Sequence, residues 1–500
     1  MSKQSSDQRS YSVDEMMEKL KEGEREKRRD EDSELVTRPD GSKVVRIRRR
    51  KRRSKQPQKE RSVRFRRSGI IFMVLFAVVL VAGSATVLIL LARYNSKGYR
   101  DELKERVLSA SGASVGLTDL TVTPFKVRAR SLQFVWPTSG VAKSLKLTGL
   151  SAELGLGSLF GADWNGKEAT AESGVLLLGP PDGTISHALM EGELPFDFGG
   201  YRCPNLEMIY GEQADKPALH LTGAEVTMRP MEGGGVQFLV NGGRARVGGW
   251  DELRIDHGLA EWRGGALELV SLRAHVGKNG GEATLRGTKP IRSGTQIQCQ
   301  VELKNFPLDH MLGSSSGLGR LIGGDIQAPD GTFTADPRFM DSGKLRVEFS
   351  GLDGTLKHFQ FLKGLSTILG KTFYDSPDLG RVKGVFRQDK DGMRLHEFEF
   401  EAKSQLKILG YIDSKPDGEL QGTIRVGVPQ GLMMRTETQR RYAAFSQPEL
   451  GYCWINIKLS GTVDHPLDDF LLTLKKGAEK TTESGGNNKL LEENFDRLTR

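Results

Sequence analysis

Hydrophobic and polar positions divide the chain into stretches with different periods. Residues 1–68 are charged and contain few large apolar side chains, which predicts a basic, disordered tail. An uninterrupted apolar run follows from Gly69 to Ala92, between Arg67 and Arg93. At about 1.5 Å of rise per residue it makes a helix of roughly 36 Å, enough to cross a hydrocarbon core of about 30 Å. The run therefore predicts a transmembrane helix at 69–92.

A cleaved signal peptide is the main alternative for this run, because the small residues at 82–85 could suit a peptidase. Signal peptides, however, have a shorter apolar core and a much shorter basic region before it. A retained signal anchor is therefore the favoured interpretation.

Beyond the run, the period changes from helical to alternating. Leu103, Val107 and Leu108 recur at helical spacing, so Lys97–Ser111 is predicted to be an amphipathic helix that ends near Gly112. Strand-like alternation then begins. Its apolar positions are Phe125, Val127 and Ala129, followed on the other parity by Leu132, Phe134 and Trp136. The change of parity predicts a β-bulge between the two sets.

The alternation recurs in units of strand, turn and strand. Residues 265–277 lead into 281–287 in this way, and residues 392–402 lead into 406–410 and 418–427. The 60 glycines of the chain suit frequent turns better than a helical bundle. These repeats predict stacked hairpins and a mainly β fold with a few amphipathic helices. One such helix is predicted at 359–369.

Charge sets the orientation of the predicted anchor. The first 68 residues contain 23 Lys and Arg against 13 Asp and Glu, a net charge of +10. The net charge of the whole chain is +9, so the rest of the chain is nearly neutral. The positive-inside rule places this tail in the cytoplasm and the rest on the other face. The membrane-proximal basic residues are Arg48, Arg49, Arg50, Lys51, Arg52, Arg53, Arg64, Arg66 and Arg67.

Those basic residues predict contact with anionic lipid headgroups, which attract nearby cations. Nucleic-acid binding is the alternative, since a basic run also pairs with phosphates. The run contains only Phe65 as an aromatic residue and no nucleic-acid-binding motif, so we expect no nucleic-acid partner.

Cysteine and histidine predict neither a metal site nor a cofactor. Cys203, Cys299 and Cys453 are far apart and form no C-x-x-C pair, so they allow at most one intramolecular disulfide. The eight histidines are scattered and include no H-E-x-x-H motif.

Two motifs approach enzyme signatures. Gly313–Gly317 matches G-x-S-x-G, which would make Ser315 a nucleophile, although a flexible Gly/Ser loop is the simpler interpretation. Gly370-Lys371-Thr372 ends like a phosphate-binding loop, but the glycine upstream is one residue too far away. We therefore predict that the protein is not an enzyme.

Two acidic groups are open to a chemical interpretation and a structural one. Glu397, Glu399 and Glu401 alternate with apolar residues, which predicts a solvated strand face rather than a cation site. Asp464, His465 and Asp468 surround a proline and predict a turn.

The order of these segments resembles the AsmA-like family of AsmA-, TamB- and YhdP-type envelope proteins. The resemblance lies in "GASVGLTDLTVTPFKVRARSLQFVW" after the anchor, "GALELVSLRAHVGKNGGEATLRG", "GVFRQDKDGMRLHEFEFEAKSQLKILGYID" and the closing "IKLSGTVDHPLDDF". It extends from about Lys97 to Leu474, and its motifs are glycines and alternating apolar residues rather than catalytic groups. It implies an elongated, curled β-sheet with an apolar groove that carries phospholipid during outer-membrane biogenesis.

The groove would use alternating apolar side chains, which could shield acyl chains at about 0.8 kcal/mol per buried CH₂. The alternative is that the same side chains fill a closed sandwich core. The candidate groove residues are Phe125, Phe134, Trp136, Leu154, Leu267, Leu269, Phe398 and Phe400.

The sequence thus predicts a single-pass protein of a bacterial inner membrane, with its N-terminus in the cytoplasm and its β domain in the periplasm. The predicted partners are membrane lipids, phospholipid above all, and other envelope proteins. A scaffold that binds envelope proteins without lipid is the alternative function. The predicted segments are a cytoplasmic tail at 1–68, the transmembrane helix at 69–92, an N-terminal β region at 97–340, a C-terminal β module at 341–474 and a disordered tail at 475–500.

Overall fold

The computed structural model describes part of the chain, in separate ranges of residues. They are 17–18, 21, 33–47, 63–137, 140–159, 163–180, 195–211, 217–247, 251–264, 266–277, 280–292, 295–314, 317–336, 338–339, 342–433 and 444–482. The chain divides into two compact units, Met1–Val81 and Ala82–Arg500, and each is described by itself.

The first unit contains a short hairpin. Strand β1 (Ser33–Thr37) pairs antiparallel with β2 (Lys43–Ile47). Gly41 has a φ of 83° in the turn, and the Asp40 carboxylate accepts a hydrogen bond from the Ser42 hydroxyl at 2.8 Å. The predicted disorder of residues 1–68 is therefore corrected at 33–47, because a Pro-Asp-Gly turn between β-branched residues favours a hairpin.

The apolar run forms helix α1 (Val63–Tyr94), so the predicted helix is confirmed as a helix with wider bounds. Its segment Phe72–Tyr94 is long and apolar enough to span a membrane. The predicted basic residues Arg64, Arg66 and Arg67 lie in its first two turns, whereas residues 48–53 lie outside the described part of the chain.

The second unit is mainly β. Its helices are α2 (Lys97–Ser111), α3 (Leu308–Met311), α4 (Gln360–Leu369), α5 (Gln430–Met433) and α6 (Phe470–Thr482), with 3₁₀ turns at Leu156–Leu159, Leu318–Arg320 and Thr372–Asp375. Its first strands are β3 (Ser114–Thr118), β4 (Thr121–Thr123), β5 (Lys126–Val135), β6 (Ala142–Glu153), β7 (Trp164–Gly166), β8 (Ala169–Thr170), β9 (Ser173–Leu178), β10 (Phe196–Phe198), β11 (Tyr201–Tyr210), β12 (Leu219–Pro230), β13 (Val236–Asn241), β14 (Arg244–Val247), β15 (Leu253–Arg263) and β16 (Ala266–Val276). The remaining strands are β17 (Glu282–Gly287), β18 (Ile291–Arg292), β19 (Ile297–Pro307), β20 (Ile322–Ala335), β21 (Lys344–Leu356), β22 (Asp378–Leu379), β23 (Arg381–Asp389), β24 (Gly392–Ala402), β25 (Leu406–Ser414), β26 (Leu420–Pro429), β27 (Tyr452–Gly461) and β28 (Pro466–Asp468).

These strands form one large curled sheet, apart from β7 and β10, which pair with each other. Most neighbours are antiparallel and successive in the chain, whereas β11 pairs in parallel with β8 and β9. In places one long strand pairs with two short strands that follow each other end to end. Strand β12 pairs with both β13 and β14, and both of these pair with β15 on their other side. Within the described residues no pairing joins β3 or β4 to β28.

The change of apolar parity in β5 has another cause than the predicted bulge. The register of β5 with β6 is unbroken from Ala129–Leu150 to Ser131–Thr148. Between these pairs Gly149 has a φ of 62°, a conformation that glycine adopts without steric cost. The predicted bulge is wrong, and a left-handed residue in the neighbouring strand accompanies the parity change. True register shifts occur in other strands, such as β19, β20 and β24.

The predicted helix at 359–369 is confirmed as α4, whose buried side chains include Phe361, Leu362 and Leu365. Gly370 ends α4 with a φ of 63°. The residues that resemble a phosphate-binding loop therefore follow a helix, whereas such a loop precedes one.

Two predicted segment borders meet observed elements. Strands β20 and β21 lie on either side of the border at 340/341 and pair with each other, and the division there stays a prediction. Helix α6 continues to Thr482, so the predicted disorder of residues 475–500 is corrected at 475–482. Residues 483–500 lie outside the described range.

Candidate functional site: the apolar face of the sheet

One face of the sheet carries apolar side chains from strand to strand. Residues directly opposite each other in neighbouring strands point to the same face, so the register identifies which side chains share it. In the N-terminal half one such row is Val115, Phe134, Leu145, Leu176, Met208 and Leu221. We call this side of the sheet the apolar face.

The apolar face continues toward the C-terminal strands. Its central pairs join Ala274 to Ala283, Leu303 and Ala328. Its C-terminal rows include Val347, Phe386, Leu395 and Ile412, and then Ile408, Val426 and Ile455. The apolar side chains thus form a continuous band across the sheet, which no single strand pattern reveals.

The opposite face carries paired charges. The Glu399 carboxylate lies 2.6 Å from Lys383 Nζ and 2.5 Å from Lys407 Nζ, and hydrogen bonds from these ammonium groups lower the pKa of the carboxyl. On the same face His220 Nε2 lies 2.7 Å from Glu207 Oε1. The carboxylate of Glu399 is therefore paired with lysines of the two neighbouring strands, in keeping with the strand face predicted for this acidic group.

At its C-terminal end the apolar face is filled. Phe398 and Phe400 stack with their ring centroids 4.7 Å apart and belong to the main core cluster, together with residues of α3, α4 and α6. The space left between these two rings and the residues of β25, β26 and α4 is about 10 Å³. That volume holds at most one water molecule. Two of the predicted groove residues are therefore packed core side chains.

At its N-terminal end the apolar face is covered by α2. Leu154 is buried in a cluster with Leu103 of α2, Val127 of β5 and Trp164 of β7. Leu154 is thus a packed residue as well.

Between these two ends many side chains of the apolar face are half-buried, although Leu221, Ala245 and Ala274 are buried in a smaller cluster. Phe134 and Trp136 stack at 5.7 Å, and Trp136 Nε1 donates to the Ser111 carbonyl at 3.2 Å, which fixes the indole at the end of α2. Leu267 and Leu269 are also half-buried, beside Trp262, which is 45% exposed. We call this middle part, over β3, β5, β6, β9, β11–β13, β15 and β16, the open section.

Sequence reasoning placed Phe125 on this face, but it lies in the β4–β5 turn with 62% of its surface exposed. It also missed Leu176, Met208, Met228 and Trp262, which belong to the rows of the open section. Period-two alternation marks Met208 weakly, and Leu176 lies in an apolar run, Val175–Leu178, that conceals which residue points to which face.

No family model, no curated protein and no solved structure matches the chain. Function is therefore inferred from the geometry of this face and from the joint between the end of α1 and the sheet.

That joint is built on Asn95, the residue after α1. Its Nδ2 donates to the Val122 carbonyl at 2.9 Å, and its Oδ1 accepts from the Val122 amide at 2.9 Å. Arg100 of α2 donates to the Leu120 carbonyl at 3.1 Å and to the Asn95 carbonyl at 3.3 Å. A single side-chain amide thus pairs with strand β4 as a neighbouring strand would, and ties the end of α1 to the sheet.

Replacing Asn95 by alanine should lower the free energy of unfolding by about 1–3 kcal/mol, because the peptide groups of the buried Val122 lose their partner. Urea unfolding of the full chain in detergent, followed by tryptophan fluorescence, measures this loss. Asn456→Ala is the control, since its side chain is exposed on β27 and its loss should cost less than about 0.5 kcal/mol. Equal stability of both variants would contradict the role given to the joint.

The G-x-S-x-G motif at 313–317 is only partly within the described residues. Ser315 lies outside the described residues; five residues earlier in the chain, His310 Nδ1 lies 2.9 Å from Asp251 Oδ2. No serine hydroxyl among the described residues bonds to His310, and the described part of the chain contains no group of three or more potential metal ligands. The predicted turn contains Asp464 and His465, whereas Asp468 ends strand β28 and its carboxylate accepts hydrogen bonds from two helix N-termini.

Proposed function

We propose that the protein is a membrane-anchored, non-enzymatic envelope protein of the AsmA-like type, and that the open section binds the acyl chains of phospholipid. In this proposal α1 crosses the inner membrane once, with the basic tail in the cytoplasm and the sheet in the periplasm. The lipid so shielded would be used in outer-membrane biogenesis.

The observation that carries the proposal is the difference in burial along one continuous apolar face. Helices cover both ends, whereas the row through Phe134, Leu145 and Leu176 is half-buried with no helix over it among the described residues. Each CH₂ of an acyl chain that leaves water for such a surface contributes about 0.8 kcal/mol. An acyl chain of ordinary length contains many such groups, so its binding would be favourable even if only part of it contacted the face.

The charge pattern supports the proposed orientation. Basic residues are dense before α1, whereas acidic residues accompany the basic ones after it. The positive-inside rule then leaves the sheet on the side opposite the tail.

Native mass spectrometry of the full chain, purified from membranes without added lipid, tests the proposal. Wild-type protein should carry phospholipid. The double substitution L145E and L176E should remove it, because an acyl chain on this face would then have to bury two carboxylates in adjacent strands, which is costly. Val175→Glu is the matched control: Val175 is the neighbour of Leu176 on the other face and is 38% exposed. It should keep the lipid of the wild type.

A wild-type protein that folds but carries no lipid would reject the lipid proposal. The scaffold alternative would then be favoured if the same double substitution, and not Val175→Glu, abolished binding to an envelope protein. Loss of lipid in all variants alike would also count against the open section as the binding surface.

A further inference from the structure

The turn between β4 and β5 combines a fixed backbone with an exposed aromatic ring. The Phe125 carbonyl accepts a hydrogen bond from the Leu154 amide at 2.9 Å, and Thr123 Oγ1 donates to the Lys126 carbonyl at 2.7 Å. The turn is therefore held against β6, while the Phe125 ring remains 62% exposed. Transfer of an exposed aromatic ring from water to an apolar environment is favourable.

Strand β4, which leads into this turn, lies beside the end of α1. Arg100 of α2 binds Leu120 and Asn95 binds Val122, so β4 runs from the side of α2 toward the end of α1. Phe125 follows three residues further in the same direction. Leu90 and Leu91, in the last apolar turns of α1, pack against the cluster that contains Val122. The first strands of the sheet thus pack directly against the last apolar turn of α1.

The surroundings of the turn suit a lipid surface. Arg128 is exposed three residues after Phe125, Arg93 and Lys97 are exposed on either side of Asn95, and Lys126 is half-buried opposite Glu153. Exposed cations attract anionic headgroups, and aromatic rings are favoured at the boundary between headgroups and acyl chains.

We infer that the Pro124-Phe125 turn inserts Phe125 into the headgroup boundary of the leaflet from which α1 emerges. The second unit then touches the bilayer at two points, the end of α1 and this turn, and the start of the apolar face is held against the membrane surface. This inference rests on the proposed crossing of the membrane by α1 but is independent of lipid binding in the open section.

Three phenylalanines of similar exposure permit a matched test. Phe76 in α1 is 61% exposed, Phe125 is 62% exposed, and Phe339, in the connection between β20 and β21, is 59% exposed. Each is replaced by cysteine and spin-labelled in the full chain, reconstituted in vesicles of phosphatidylethanolamine and phosphatidylglycerol. The native cysteines are buried, and labelled wild type provides the background. The measurement is the ratio of collisions with oxygen, which enriches in lipid, to collisions with a water-soluble nickel chelate.

We expect a several-fold higher ratio for the label at 125 than for the label at 339, and the highest ratio at 76. A label at 125 that matches 339 while 76 lies in lipid would overturn this inference and leave the anchor intact. A label at 76 exposed to water would overturn the anchor and the inference together. Thermal unfolding of F125C should match the wild type, because the replaced ring is largely outside the core.

Discussion

Replacing Phe400 by alanine should lower the free energy of unfolding by about 3–5 kcal/mol, the usual cost of deleting a buried phenylalanine ring. Phe400 has no exposed surface and stacks on Phe398 beneath α4. The core around both rings is closely packed and has almost no free space. Neighbouring side chains therefore cannot fill the volume of a deleted ring, and a cavity remains. Urea unfolding of the full chain in detergent measures the loss.

Phe134→Ala is the matched control for that substitution. Its ring lies on the same face but in the open section, half-buried and stacked on Trp136. We expect a clearly smaller loss of stability and a weaker association with phospholipid. If Phe400→Ala instead left stability unchanged and removed bound lipid, the C-terminal part of the face would be an open groove and the packing argument would fail.

Removing the Asp468 carboxylate should loosen two helices at once. Its oxygens accept hydrogen bonds from the amide of Phe361, in the first turn of α4, at 2.7 Å and from the amide of Phe470, the first residue of α6, at 3.2 Å. Loss of a helix cap costs about 0.5–2 kcal/mol, and Asp468→Ala removes two. Both helices cover the C-terminal core, so we expect a cooperative loss in the same unfolding experiment.

Asp464→Ala is the control, because Asp464 lies in the turn just before β28 but pairs with Arg320 at the surface. Exposed ion pairs contribute about 0–1 kcal/mol. A loss at Asp464 equal to that at Asp468 would show that the whole segment 464–468, rather than the two caps, is responsible.

Asp468 also makes a definite contribution to the pH dependence of stability. Burial raises the pKa of this carboxyl, and the amide hydrogen bonds oppose the rise only in part. The folded chain therefore binds the proton more tightly than the unfolded chain does. The contribution of Asp468 to stability is largest below the unfolded pKa and falls as the pH rises through the raised folded pKa.

Asp468→Asn isolates this effect, since asparagine does not titrate. The difference in unfolding free energy between wild type and Asp468→Asn should change in favour of the wild type as the pH is lowered toward the ordinary carboxyl range. A difference that stays constant with pH would contradict the raised pKa.

Some elements follow from the sequence alone because local physics decides them. The apolar run before Arg93 forms α1, and Lys97–Ser111 is helical with the predicted end, where Gly112 has a φ of 66° and caps the last turn. The alternation of apolar residues gives strands, and the glycine-rich turns join them into a mainly β unit. In each case the signal lies within a few residues, and no distant contact is needed to produce it.

Which apolar residues are core and which stay open was decided by the tertiary structure. Phe134 and Phe400 lie in strands with the same alternating pattern, so the sequence gives no reason to separate them. Phe400 is buried because α4 and α6, held together by Asp468, cover its part of the face, whereas no described helix covers Phe134. The hydrogen bonds of Asn95 to β4 and the exposure of Phe125 were likewise decided by the tertiary structure. Alternation fixes the face to which a side chain points, but its burial depends on what packs there, and the packing elements come from distant parts of the chain.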